Sequence, residues 1–240
     1  MFKSFYKRAF RCFLSSSAIK NVPPVVCHGG PISNITKVWF TPLPDKSKWI
    51  TPCKVHYVEN GQKKDRDIIK IFDGVMVILF NISRQKLIYV RQFRAAVYHG
   101  IITGNSLEIP KGDIDLIKYP PEMAVTLEPC AGLIDKSKSL PEIAREEVLE
   151  ECGYDIPVKS FEFIYAFKSG VGASSSTQTF FYCEVCDAQK VSNGGGIHDE
   201  VIQVVELSIE DARQMVKTGS TIIGGPSTLL GTLWFLANKT

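Results

Sequence analysis

The chain has 240 residues, 45% hydrophobic and 22% charged, a composition that suits one globular domain able to bury a full core. No apolar run approaches the roughly 18 residues that would span a bilayer, and the longest, VMVILF (Val75 to Phe80), has the length of a buried strand. The formal net charge of +3 is uneven: Lys3, Lys7, Arg8, Arg11, Lys20 and Lys37 all precede the first acid, Asp45. With those six set aside from the 28 basic residues, 22 face 25 acidic ones, so the sequence supports no nucleic-acid-binding face.

The first stretch, MFKSFYKRAFRCFLSSSAIK, is basic, Ser-rich and free of acid, and Phe2, Phe5, Phe10 and Phe13 can share one helical face. It resembles a mitochondrial transit peptide, and an unstructured N-terminus has the same composition, so both a mitochondrial and a cytoplasmic location stay open. Residues 21–46 are rich in Pro, Gly and Ser, which makes 1–46 a tail and linker ahead of a domain at 47–240. The seven cysteines form no regular framework and read as reduced thiols. Cys183 and Cys186 have CxxC spacing, but they close a strand pattern instead of opening a helix, and no redox or metal role is assigned to them.

Order begins near Lys48. CKVHYV and DIIKIF flank ENGQKKDR, whose Asn60-Gly61 is a strong hairpin signal, giving a small antiparallel subdomain over 47–72. GVMVILF and KLIYVRQF flank NISRQ as a second hairpin, so four strands precede any helix, and a long loop runs from Tyr98 to Met123. AVTLEPCAGL resumes a strand. Ser139 can cap the next helix, Pro141 starts it, and Gly153 ends it. Strands FEFIYAF, TQTFFYCEV and VIQVVEL follow, separated by the loops KSGVGASSS and SNGGGIHDE. Two closing helices are opened by Ser208 and Pro226.

The helix ending at Cys152 carries Glu147 and Glu151 one turn apart, with Glu150 three residues beyond Glu147, so three carboxylates share one side. Ile143, Ala144, Val148 and Leu149 form the core side. Like charges at this spacing cost about a few tenths of a kcal/mol per pair, a cost that a hard divalent cation with oxygen ligands, such as Mg²⁺, would offset. A plain solvated acidic face is the alternative. His28, His56, His99 and His198 form no metal spacing and receive no role.

Around this helix the sequence resembles the Nudix hydrolase signature, G-x5-E-x7-R-E-U-x-E-E-x-G-U with U apolar. Gly132 starts it, and Glu147, Val148, Glu150, Glu151, Gly153 and Tyr154 fall at their offsets. Two positions depart: Lys138 stands at the first glutamate and Glu146 at the arginine, with Arg145 displaced by one residue. Stretches from Thr51 to Leu236, among them VRQFRAAVYHG, LEPCAGLID, SGVGASSSTQTFFYCEVCDAQ and GGGIHDEVIQVVEL, resemble the UDP-sugar pyrophosphatase branch, a relative of the ADP-ribose pyrophosphatases.

The resemblance implies an α/β/α sandwich with a mixed sheet plus the N-terminal antiparallel subdomain, and a homodimer formed through that subdomain. It implies Mg²⁺-dependent hydrolysis of a nucleoside diphosphate sugar such as UDP-glucose to a nucleoside monophosphate and a sugar 1-phosphate, with Mn²⁺ as a substitute. The implied metal ligands are Glu147, Glu150, Glu151 and the Ala131 carbonyl. Catalysis falls to Glu150 and to Glu200 as general base, with Asp199 the near alternative. Arg91 and Arg94 suit bidentate contact with substrate phosphates, and Glu128 is placed to touch substrate or the groups around it. The loop Ser169 to Gly172 could let backbone approach the sugar or base. Two other functions stay open: ADP-ribose hydrolysis, and a weakened domain that binds nucleotide sugars without turnover, motivated by Lys138 and Glu146. In the family the arginine helps orient the glutamates, and Arg145 could replace it only by wrapping around the helix.

Overall fold

The structure, a computed structural model, describes residues 26–28, Ile32, 34–220 and 224–240. The basic segment 1–20, read above as a possible transit peptide, lies outside the described residues. No helix among the described residues is long and apolar enough to cross a membrane.

The main sheet runs β1 (Val26–His28), β10 (Ile202–Ser208), β5 (Lys86–Phe93), β4 (Gly74–Asn81), β9 (Ser176–Val185) and β8 (Glu162–Ser169). β4 and β9 pair in parallel and the other neighbours antiparallel, which makes the sheet mixed. The central strands are buried on both faces: β4 reads as a nearly continuous apolar run, while β10 buries Gln203 and Glu206 among its apolar residues. Helix α2 (Leu140–Cys152) covers one face, where Ile143, Ala144 and Val148 pack on Val75, Val77, Ile88 and Val90. Helices α3 (Ile209–Met215) and α4 (Pro226–Asn238) cover the other, where Ala212, Met215 and Phe235 pack on Ile78, Phe80, Leu87 and Tyr89. The result is the α/β/α sandwich expected from the sequence.

Several expectations need correction: β1 lies inside the stretch read as linker, so five strands and not four precede the first helix. AVTLEPCAGL is not one strand but two, β6 (Val125–Glu128) and β7 (Cys130–Leu133), split at Pro129, which has no N–H to give to a ladder. β4 and β5 pair directly only between residues 79–81 and 86–88, then diverge. β6 fills the gap along β5 and β7 fills it along β4. This wedge places Glu128 and Ala131 side by side at one end of the sheet.

The segment read as loop from Tyr98 opens instead within a helix, α1 (Ala95–Thr103), and a short 3₁₀ turn at Pro121–Ala124 precedes β6. Gly100, His99 and two β-branched isoleucines give α1 little intrinsic helix preference. It is held by tertiary contacts instead: Tyr98 is fully buried, its ring lies 5.4 Å from Phe93, and its hydroxyl donates to the Tyr119 carbonyl.

The remaining pair, β2 (Thr51–Glu59) and β3 (Gln62–Lys70), forms a separate two-stranded ribbon, longer than the sequence reading because the residues flanking the turn also pair. Asn60 and Gly61 take φ of 53° and 75°, the left-handed pair that a two-residue hairpin turn requires. The ribbon meets the main body where the Ile69 N–H donates to the Ala173 carbonyl at 2.8 Å.

Candidate active site

Helix α2 is fixed at both ends by local chemistry. At its start the Ser139 N–H donates to the Glu142 carboxylate at 2.8 Å, and Pro141 occupies the first turn, where a missing N–H costs nothing. The bond from the Ser139 hydroxyl, foremost, holds the Glu142 carboxyl below its ordinary value. At its end Gly153 is left-handed (φ 74°) and the glycine-rich loop wraps the helix terminus. Gly195 N–H donates to the Glu151 carbonyl at 2.9 Å, Gly196 N–H to the Glu150 carbonyl at 3.1 Å, and Lys190 Nζ to the Cys152 carbonyl at 2.6 Å. Carbonyls that a helix end leaves unpaired are thereby satisfied by one loop. Gly194 has to be glycine there, since a Cβ would run into the Glu151 carbonyl.

This docking has a chemical consequence, because the same loop carries Glu200. Its carboxylate accepts from the Ile197 N–H at 3.2 Å, and its charge is felt at Glu147, Glu151 and Arg94. The helix terminus and the loop acid therefore share one neighbourhood.

Across from α2, β7 supplies the floor. The Ala131 N–H donates to Glu151 Oε2 at 3.1 Å, and a Cβ on Gly132 would occupy the space taken by the Glu147 side chain. The signature's first glycine is thus explained by the close approach of Glu147 to backbone. Glu151 is 4% exposed, and burial pushes its carboxyl up to about 8, with the charges of Glu147 and Glu200 adding to the shift. Glu147 is pushed up to about 7 by burial first and then by Glu150. Among the described residues no three His, Cys, Asp or Glu side chains close into a metal cage; the carboxylates stand as an open set along one helix side. The donors are all oxygens, they repel one another, and they border backbone at Ala131 and Gly132, a set whose chemistry fits a hard divalent cation.

Arg94 and Glu128 face this set. Arg94 Nε donates to Glu128 Oε1 at 2.8 Å and a terminal nitrogen to Oε2, a two-pronged ion pair, while the Thr126 hydroxyl donates to Oε1 at 2.5 Å. Burial raises the Glu128 carboxyl, but the bonds from Arg94 outweigh it and hold the group below its ordinary value. Glu128 pairs with Val90 across β5 and β6, so it points to the α2 face.

Arg91 does not join them. It has the strand parity of Leu87 and Tyr89, sits opposite Leu127, and bonds Gln203 at 3.1 Å on the face covered by α3 and α4. Arg94, one residue past the end of β5 and still extended (φ −115°, ψ 105°), keeps the strand alternation and so falls on the face opposite to Arg91, a parity readable in the sequence.

Arg145 points away as well: Nε donates to the Ile156 carbonyl at 3.0 Å and a terminal nitrogen pairs with Asp155 at 2.6 Å, so it does not wrap round to the glutamates. Glu146 is paired with Lys138 and, at 3.3 Å, with Lys136. The sequence reading missed Thr126, which lies two residues before Glu128 on the same strand face, and Lys136 and Lys190, whose partners lie 10 and 38 residues away. The cysteine pair carries no reactive thiol at its inner member, since burial pushes Cys183 up to about 12.

No protein-family model matches the chain. Comparison of whole sequences does place it: with the signature on α2 and the sandwich around it, the chain belongs to the Nudix family, among the pyrophosphatases of nucleoside diphosphate sugars, hydrolases that act on phosphoric anhydrides. It is 38% identical over 203 residues to the uridine diphosphate glucose pyrophosphatase NUDT14 of Bos taurus, covering 80% of this chain and 90% of that protein. The Mus musculus protein of the same name is 37% identical over 176 residues, covering 70% and 79%. A GDP-mannose pyrophosphatase of Enterobacter sp. (strain 638) is 32% identical over 176 residues, covering 72% and 80%.

Proposed function

We propose that this chain hydrolyses the pyrophosphate of a UDP-glucose-like nucleotide sugar, giving UMP and a sugar 1-phosphate, with Mg²⁺, or Mn²⁺ in its place, held by Glu147, Glu150, Glu151 and the Ala131 carbonyl. The observation that carries this reading is the pair of mutually repelling carboxylates, the half-buried Glu147 and the buried Glu151, set against the β7 backbone. Bound there, a divalent cation supplies charge neutralisation on the pyrophosphate and acidifies water. The protein's own groups do the rest. Arg94 gives two of its five N–H donors to Glu128, and the others remain for a phosphate oxygen; Glu128, itself fixed by Thr126, sets the plane of the guanidinium. Glu200 takes the proton of the attacking water, held at the site by a loop anchored on the carbonyls of Glu150 and Glu151. Arg91 has no part in this account.

The ribbon β2–β3 belongs to the same reading. Val55, Val58 and Ile69 are exposed on it, Trp49 is exposed beside it, and an isolated two-stranded hairpin is only marginally stable in water. A second copy of the chain covers these residues in a homodimer. The segment 1–20 directs the protein to mitochondria or is left in the cytoplasm, which a reporter fused to residues 1–25 distinguishes.

Initial rates on UDP-glucose, GDP-mannose and ADP-ribose with Mg²⁺ test the substrate. UDP-glucose is expected to give the highest kcat/KM, and a higher value for either of the others would contradict the assignment.

A further inference from the structure

Lys138 and Glu146 each break the signature, and each looks damaging alone, because a cation replaces an acid and an acid replaces a cation. In the structure they are bonded to each other across the approach to α2. The chain thus carries opposite charges at these two positions, as the signature does, with their signs exchanged. Glu146 also holds Lys136 Nζ at 3.3 Å, and it lies one residue before Glu147 and one helical turn before Glu150.

We propose that Lys138 and Glu146 are positioning residues, a polarity-reversed pair standing in for the signature's glutamate and arginine, and that Glu146 holds Lys136 as the cation the arginine would have brought to the glutamates. The inference rests on the hydrolase reading above. Both lysine ammonium groups are paired with the Glu146 carboxylate, so Glu146 is a partnered charge and not one more repelling acid beside Glu147. Lys136 feels Glu147 and Glu150 as well as Glu146, which puts its charge within reach of the set that holds the metal. The segment 134–139 is tied to α2 by the same two bonds, so the pair also fixes the strand-to-helix connection that sets the distance between β7 and the glutamates.

The test is a charge permutation in the full chain: Glu146→Arg, Lys138→Glu, and the two together, which restores the signature's own polarity. Steady-state rates on UDP-glucose are read alongside Mn²⁺ binding by calorimetry without substrate. Glu146→Arg alone faces two lysines; it is expected to lower kcat about tenfold at nearly constant KM and to weaken Mn²⁺ binding by roughly three- to tenfold. The double variant is expected to recover both to within about threefold of the wild type. Additive losses in the double variant, or an unaltered kcat in Glu146→Arg, would overturn the proposal. Should Glu146→Arg fail to fold, Glu146→Gln reads the same effect at lower amplitude, about threefold in kcat, with KM unmoved. If the wild type releases no UMP, the hydrolase reading fails by itself; the Mn²⁺ isotherms still decide the pair, since weakening that the second substitution does not reverse contradicts it.

Discussion

The corner where α2 meets β7 and the ribbon β2–β3 are both polar, and they are built in opposite ways. At the corner every element is over-determined: a capped helix, a glycine that leaves room for Glu147, and a loop of left-handed glycines closing on the last carbonyls of α2. The ribbon has nine residues in each strand and a near-ideal turn, yet none of its side chains enters either apolar cluster of the described residues. The corner needs nothing from another chain to place its carboxylates, whereas the ribbon supplies only its own ladder. What the ribbon contributes therefore depends on what covers it.

The sharpest way to break the corner is to fill its one gap. Gly132→Ala puts a methyl where the Glu147 side chain lies, and the carboxylate has to move; kcat is expected to fall about a hundredfold, the scale set by a misplacement near 1 Å. The ribbon should be indifferent to that change, so sedimentation of the variant is expected to match the wild type. The reverse experiment is Val58→Asp, which places a charge at an exposed apolar position of β2. Association is expected to weaken by roughly tenfold or more, with far-UV circular dichroism unaltered; an unchanged mass would show that the ribbon is covered by something other than a second copy.

The smallest effect is electrostatic. In the folded protein without metal, Glu147 and Glu151 are pushed up to about 7 and about 8 from an ordinary 4.5. From about 4.5 up to these values the folded state binds more protons at the two groups than the unfolded one, so their contribution to stability is fully present below about 4.5 and is lost as pH rises through 7 and 8. A divalent cation needs the ionised forms, so the stabilisation it adds grows over the same window. Thermal unfolding from pH 5 to 8, with EDTA and with Mg²⁺, reads both slopes. Glu151→Gln is expected to flatten the metal-free slope at its upper end, and a slope that it leaves intact would place the titration elsewhere.

Much of this was legible in the sequence wherever the physics is local. Asn60-Gly61 gave the turn, Ser139, Pro141 and Gly153 bounded α2, and helical spacing put Glu147, Glu150 and Glu151 on one side. What was hidden depends on distant partners. Pro129 splits a strand visibly only once β4 and β5 are seen to diverge, and α1 survives its poor helix formers because Tyr98 finds a buried place. The pairing of Lys138 with Glu146 joins residues eight apart through a loop whose path no spacing rule gives. Arg91 and Arg94 were separable by strand parity, yet they were grouped because both ions suit phosphate.

The central claim, that the carboxylates of α2 serve hydrolysis of a nucleotide sugar, is tested most directly by product release. Purified wild type and Glu147→Gln are incubated with UDP-glucose and Mg²⁺, and UMP and glucose 1-phosphate are quantified by chromatography. Stoichiometric release of both by the wild type, reduced by about three orders of magnitude in the variant, is the predicted result. Binding of UDP-glucose without UMP release, or equal release by the two proteins, would contradict it.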